Sequence, residues 1–143
     1  MVSKALFSSA SDEWSTPQDF FDKLNEEFCF DLDPCASDEN HKCAVYHTEA
    51  ENGLEQSWAG NRVFCNPPYS NIGEWVAKAA RERALTVMLI PARTDTRWFH
   101  AHIYQKPNVE IRFIKGRLKF GNSKNSAPFP SMIVIFNNLE GGE

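Results

Sequence analysis

The sequence predicts a three-layer α/β domain with a mostly parallel sheet that ends in an antiparallel strand pair. Three observations carry this expectation. Strand-like and helix-like segments alternate up to about residue 105, the pattern of a sheet covered by helices. Leu85 to Ile90 is an unbroken apolar run, long enough only for a strand buried on both faces. Beyond it, Val109–Ile114 and Ser131–Phe136 read as strands with no helix-forming stretch between them. This is the broad plan of nucleotide-binding α/β folds, and by itself it names no function.

The 143 residues suit a single domain, with 1–13 and 137–143 expected to be loose. A hydrophobic share of 42% is enough for a packed core. No apolar run is long enough to span a bilayer. Met1-Val2-Ser3-Lys4 is not followed by an apolar stretch, so no secretory leader is expected. Cys29, Cys35, Cys43 and Cys65 then read as reduced thiols, and the expected location is the cytoplasm. The net charge of −4 hides an asymmetry. Through residue 60 there are 3 basic residues against 13 acidic ones; from residue 61 there are 12 against 6. One acidic and one basic face would follow, and a basic face can meet phosphates. A mixed solvated surface is the plainer alternative.

Trp14-Ser15-Thr16-Pro17 opens a helix of about Pro17 to Glu27. Thr16 suits the N-cap, Pro17 the first helical position and Asp19 the first turn. Phe20, Phe21, Leu24 and Phe28 form its apolar stripe. Phe28 to Asp33 alternates as a strand and runs into Asp33-Pro34-Cys35-Ala36-Ser37. A carboxylate there can bind an amine or hydroxyl, or simply open an Asp-Pro turn. Ala44-Val45-Tyr46 reads as a short strand, Asn52-Gly53-Leu54 as a turn, and a short helix is expected to run to Trp58. Cys35, His41, Cys43 and His47 offer thiols and imidazoles, but the paired spacings of common zinc sites are missing, so no metal is expected.

Arg62 to Cys65 is the next strand, and it delivers Asn66-Pro67-Pro68-Tyr69-Ser70. Two successive prolines fix two φ angles and push the residues before them into extended conformations. A stiff loop at a strand's carboxyl end is where open α/β sheets bind ligands. Its amide, proline carbonyl and aromatic face could hold a planar group bearing an NH2. The same residues would also make an ordinary turn. Ser70 or Asn71 can cap a helix from Ile72 to Ala84, with Trp75, Val76, Ala79 and Ala80 inward and Lys78, Arg81, Glu82 and Arg83 toward water. Pro91 to Thr96 is a second loop after a strand, and Asp95 or Thr94 can cap a helix carrying Trp98, Phe99, His102 and Ile103. Gly116–Gly121 is expected as a further short strand, with a loop over 122–130.

Taken together, these pieces resemble the small phage-type DNA N6-adenine methyltransferase (Dam) family. The resemblance runs from Trp14 to Phe136. It rests on Trp14-Ser15-Thr16-Pro17, Phe30-Asp31-Leu32-Asp33-Pro34-Cys35-Ala36, Gly53-Leu54 with Trp58, Asn66-Pro67-Pro68-Tyr69-Ser70 with Trp75, Pro91 to Phe99, and Gly116 to Phe120. It implies a Rossmann-like methyltransferase fold and transfer of a methyl group from S-adenosylmethionine to the N6 amine of a flipped-out adenine in double-stranded DNA. It further implies that Asn66, Pro67, Pro68 and Tyr69 form the catalytic loop. Trp14, Thr16, Pro17, Asp33, Cys35, Ala36 and Asn52 would surround the cofactor. Arg93, Arg97, Arg117, Lys119 and Lys124 are the candidates for phosphate contacts.

Two departures stand out. The glycine-rich turn usual in methyltransferases is replaced by Ser37-Asp38-Glu39, and Asn52 stands where members commonly carry Asp before Gly-Leu. No room is left for a separate target-recognition domain, so sequence choice would fall to short loops, a partner or a homodimer. The rival readings are an amino-methyltransferase acting on protein glutamine or RNA guanine, and a non-catalytic DNA-binding or decoy protein. Evasion of restriction is one role consistent with a phage-type enzyme.

Overall fold

The computed structural model describes residues 15–120 and 126–139. Trp14 and Lys124 lie outside them. Helix α1 spans Gln18–Phe28 with Pro17, not Thr16, at the N-cap position and no side-chain cap bond. It ends at Cys29, whose φ of 54° breaks the helix while its N–H reaches the Asn25 carbonyl at 2.9 Å. The Asn25 side chain then accepts the Phe30 N–H at 2.7 Å. Phe28 is therefore helical, and the alternation over Phe28–Asp33 does not yield a strand. Only Leu32 and Asp33 pair, as isolated parallel bridges to Val63 and Tyr46. The short strand expected at Ala44–Tyr46 is likewise reduced to the Tyr46 bridge.

Four strands form the sheet among the described residues: β1 (Arg62–Cys65), β2 (Leu85–Pro91), β3 (Val109–Phe113) and β4 (Ser131–Asn137), in the order β1-β2-β4-β3. β1 and β2 are parallel, whereas β4 runs antiparallel to both β2 and β3. The sheet is thus mixed, not mostly parallel, and the antiparallel end is larger than expected. The connections explain this. A parallel crossover needs a dozen residues or more, with a helix to pack on the sheet. Helix α2 (Ile72–Arg81) supplies that between β1 and β2. The next helix, α3, is only Arg97–His102, and the chain returns from β3 to β4 without a helix among the described residues.

The pleat sorts side chains to two faces. Phe64, Val87, Leu89, Ile133 and Ile135 meet Phe21 and Phe28 of α1. Val63, Cys65, Met88, Ile90, Met132, Val134 and Phe136 meet Trp75, Val76 and Ala79 of α2 and Phe99 of α3. Helices on both faces give the three layers.

Several local expectations are corrected. Helix α2 stops at Glu82, which is extended, instead of Ala84. Lys78 does not face water: it is 4% exposed, and its ammonium lies 5.3 Å from the centre of the Trp58 ring and pairs with Glu82 at 3.2 Å. The α3 cap is Thr96, whose hydroxyl accepts the Phe99 N–H at 3.3 Å, so neither Asp95 nor Thr94 serves. The helix expected up to Trp58 is a single 3-10 turn over Gly53–Glu55. Residues 116–120 form no strand: Gly116 turns the chain at φ 79°, and Phe120 enters the core next to Phe129. Asn137 closes β4, and the Asn138 side chain donates to the carbonyls of Ala79 and Ala80, so 137–139 is tied to the end of α2.

Candidate active site

Leu32-Asp33 runs parallel to β1, so both carboxyl ends point the same way. Asp33 and Asn66 consequently open onto one cleft of about 910 Å3. That is a size typical of small-molecule sites. Its walls bring together Thr16, Asp33, Cys35, Ala36, Asn52, Asn66, Pro67 and Pro68 from the expected set. Pro17 caps α1 and does not line it, and neither does Tyr69.

Asn66 follows the last residue of β1, and Pro67 and Pro68 hold the chain extended behind it. Its Nδ2 donates to the Thr16 hydroxyl at 3.0 Å. Thr16 is 5% exposed, which makes this a bond within the protein wall. The contact spans 50 positions and fixes the rotation of the Asn66 amide: nitrogen toward Thr16, oxygen on the opposite side. An amide carries both a donor and an acceptor end, so fixing one aims the other.

Tyr69 departs from its expected place as an open stacking face. It is 8% exposed and packs edge-on against Phe129, ring centres 5.5 Å apart. Its hydroxyl is buried without a partner among the described residues, and burial pushes its ionisation up. Trp75, on the cleft wall, also has a buried ring N–H with no such partner.

Asp33 is 5% exposed. Its carboxylate accepts the backbone N–H groups of Lys42 at 2.9 Å and Cys35 at 3.3 Å. Burial raises its pKa above the ordinary value, and those two N–H groups pull the other way. It is a carboxyl held in low dielectric with a partial backbone cradle, and it would gain from a cationic or multiply donating ligand.

The wall opposite is built on Asn52. Its φ of 59° is one that Asn tolerates, and its side chain accepts the Leu54 N–H at 3.2 Å. Gly53 then passes so close to the next loop that a Cβ would lie 2.1 Å from the Pro34 carbonyl oxygen. Trp58, fully buried, donates its ring N–H to the Gly53 carbonyl at 3.0 Å. Glu82 accepts the Trp58 backbone N–H at 2.7 Å. A chain of contacts thus runs from α2 through Trp58 to the Asp33-Pro34 loop.

Arg93, Arg97, Arg117 and Lys119 are all exposed. Among the described residues no group of His, Cys, Asp and Glu could hold a metal ion. His41 stacks on Tyr46 at 3.9 Å, and Cys43 is buried on the α1 side of the sheet, its ionisation pushed up to about 12 by burial. Sequence reasoning did not single out Ser37, Asn40, Lys42, Thr48 and Glu49 as cleft residues. They sit in the polar 37–60 stretch, which has no period to mark them. No described helix is long and apolar enough to cross a membrane.

The family model described as DNA N-6-adenine-methyltransferase (Dam) matches residues 3–142. A DNA N-6-adenine-methyltransferase of Haemophilus phage HP1 (strain HP1c1) is 32% identical over 140 residues, covering 90% of this chain and 80% of that protein. One from Escherichia phage T1 is 37% identical over 93 residues, 62% of this chain and 39% of its own length.

Proposed function

The chain belongs to the Dam family of DNA N6-adenine methyltransferases, and on that premise we propose that the Asp33–Asn66 cleft is where adenine and S-adenosylmethionine meet. The observation that carries this reading is the Thr16–Asn66 hydrogen bond, which fixes the rotation of the Asn66 amide, its oxygen buried, in the wall of a cleft that also holds the buried Asp33 carboxyl. The fit to the cofactor is chemical. A buried carboxyl that accepts two backbone N–H groups among the described residues has further lone pairs to offer, and a cationic ligand would favour its ionised form. Cys35, Ala36, Asn52 and Thr16 complete the surround; Trp14, by the resemblance, would join them. When bound, S-adenosylmethionine supplies an electrophilic methyl group.

The residues of this chain do the rest. Adenine N6 is a poor nucleophile because its lone pair is delocalised into the ring. Asn66 Oδ1 and the Pro67 carbonyl accept the two N6 hydrogens, polarising the nitrogen and aiming it. Such acceptors matter most where positive charge grows, and they need no reorganisation during the reaction. With the methyl group supplied by the bound cofactor, N6 would gain it, and the methylated amine would then pass one hydrogen to water as a proton. The target base must leave the duplex, at a cost of a few kcal/mol. Tyr69 recovers part of that by stacking, which requires Phe129 to move off its ring. Arg93, Arg97, Arg117, Lys119 and Lys124 carry the phosphate backbone of double-stranded DNA.

The test is transfer of a tritiated methyl group to unmethylated phage DNA, followed by nucleoside analysis. Label should appear as N6-methyladenine, and Asn66→Ala should abolish it while cofactor affinity stays within a few-fold. Label in protein or RNA instead, or retained turnover by Asn66→Ala, would reject the assignment. Absence of any transfer with intact DNA binding would favour a decoy.

A further inference from the structure

We propose that the outer edge of β3 takes a second copy of this chain, antiparallel, about a two-fold axis at Ile111. β3 is an edge strand, and among the described residues nothing pairs with its outer side. An unprotected edge is a template for another strand. Proteins commonly block such edges with proline, lysine or a bulge; Val109-Glu110-Ile111-Arg112-Phe113 has no proline or lysine, and its register to β4 is unbroken.

The backbone fixes which residues would pair. Asn137 N–H donates to Asn108 O, and Ile114 N–H to Ser131 O. The even positions therefore turn toward β4, and Val109, Ile111 and Phe113 turn their N–H and C=O groups outward. With the axis at Ile111, its N–H and C=O exchange with Ile111 of the second copy. Phe113 N–H donates to the Val109 carbonyl on each side. The Val109 N–H remains with Lys106 O, where it is bonded at 3.2 Å.

Side-chain chemistry selects this register and this partner. Glu110 falls opposite Arg112 of the second copy, and Arg112 opposite its Glu110. These are non-hydrogen-bonded positions, where side chains approach most closely. Moving the axis to Glu110 or Arg112 would set like charges face to face. The pairing extends a network already present: Arg112 holds Glu27 through two bonds of 2.8 and 2.7 Å and Glu110 at 2.6 Å. On the other face Phe113, 63% exposed, gains Val109 of the second copy as a neighbour. The strand is thus complementary to itself, in charge and in bonding pattern. The joined sheet would run β1-β2-β4-β3 and then the reverse, leaving both clefts at its far ends.

Sedimentation equilibrium of the full chain tests this. Wild type should show a concentration-dependent dimer. Glu110→Arg and Arg112→Glu should each weaken self-association about 10-fold or more, because like charges then meet at both symmetric sites. An equimolar mixture of the two variants should recover a dimer, since every facing pair is again opposite in sign. Phe113→Lys, at an exposed position, gives an independent disruption that leaves α1 contacts alone. A wild type that stays monomeric, variants that dimerise as well as wild type, or folded variants that fail to associate when mixed would each overturn the proposal.

Discussion

Thr16→Val separates two roles for one residue. In the proposed function Thr16 would line the cofactor, whereas its hydroxyl is bonded to Asn66 Nδ2 at 3.0 Å. Valine keeps the shape and removes the acceptor. A net hydrogen bond contributes about 0.5–1.5 kcal/mol, and leaving a buried donor unmade costs about 1–3 kcal/mol. Asn66 is only half-buried and borders an open cleft, so water can partly replace the lost acceptor. A loss of about 1–2 kcal/mol is therefore reasonable, which is roughly 5- to 30-fold in rate. If the bond aims the amide oxygen, the loss appears in kcat, because the N6 acceptors act as charge develops. Cofactor affinity, measured by titration calorimetry, should change less than about threefold, under 1 kcal/mol. Thr16→Ser should restore most of the rate. An unchanged kcat with cofactor binding weakened tenfold would refute the positioning argument and return Thr16 to the cofactor shell.

Three further outcomes follow from the same cleft. Gly53→Ala must push the Asn52–Gly53 turn off the Pro34 carbonyl, since the new Cβ would sit 2.1 Å from that oxygen; calorimetry should show cofactor affinity lowered about 10-fold or more, and unchanged affinity would mean the two loops need not touch. Asp33 is raised by burial from its ordinary value of 3.8, so the folded state binds more protons there than the unfolded state. Its contribution to stability is present below 3.8 and is lost as pH rises toward the higher folded value. Asp33→Asn should flatten that slope in denaturation measured against pH, while in wild type the affinity for a cationic cofactor should climb over the same window. A wild-type slope matching that of Asp33→Asn would remove Asp33 from the account. Tyr69→Ala should reduce transfer to duplex DNA more than transfer to a mismatched or single-stranded adenine; equal losses would argue against stacking.

Much of the fold was legible because it depends on local pattern. The apolar run Leu85–Ile90 and the strand at Ser131 both form, with ends moved by a residue. What failed was alternation taken by itself as a strand. Phe28–Asp33 has strand periodicity, yet α1 keeps Phe28, Cys29 turns the chain, and only Leu32 and Asp33 are left to bridge Val63 and Tyr46. Gly116–Gly121 looks like a strand between glycines, but Phe120 has a core site to fill. Strand order was out of reach for another reason: β4 enters between β2 and β3 through contacts distant in sequence, and no residue announces that choice. Lys78 shows the same limit, since a helix-face count could not anticipate Trp58 beneath it.

The candidate site survives the change from a mostly parallel to a mixed sheet, and the reason is geometric. A ligand cleft of this kind needs neighbouring carboxyl ends pointing the same way. Here that condition is met by β1 together with the Leu32-Asp33 bridge, and by β2 beside β1. The antiparallel strands lie on the far side and do not enter it. Local sequence could find Asp33 and Asn66 because each ends a strand-like segment before a proline. It could not find how the Asn66 amide is turned, because the group that turns it is 50 positions away. A threonine before a proline reads as a helix cap, and only the folded chain reveals that its hydroxyl faces the other way. Nor could it reveal that Tyr69 lies under Phe129, a residue 60 positions on that the sequence puts in a plain polar loop. Residue identity at this site was therefore written locally, while orientation and access were set by long-range packing, which is why substitutions at Thr16 and Gly53 test the mechanism more sharply than truncating Asn66 itself.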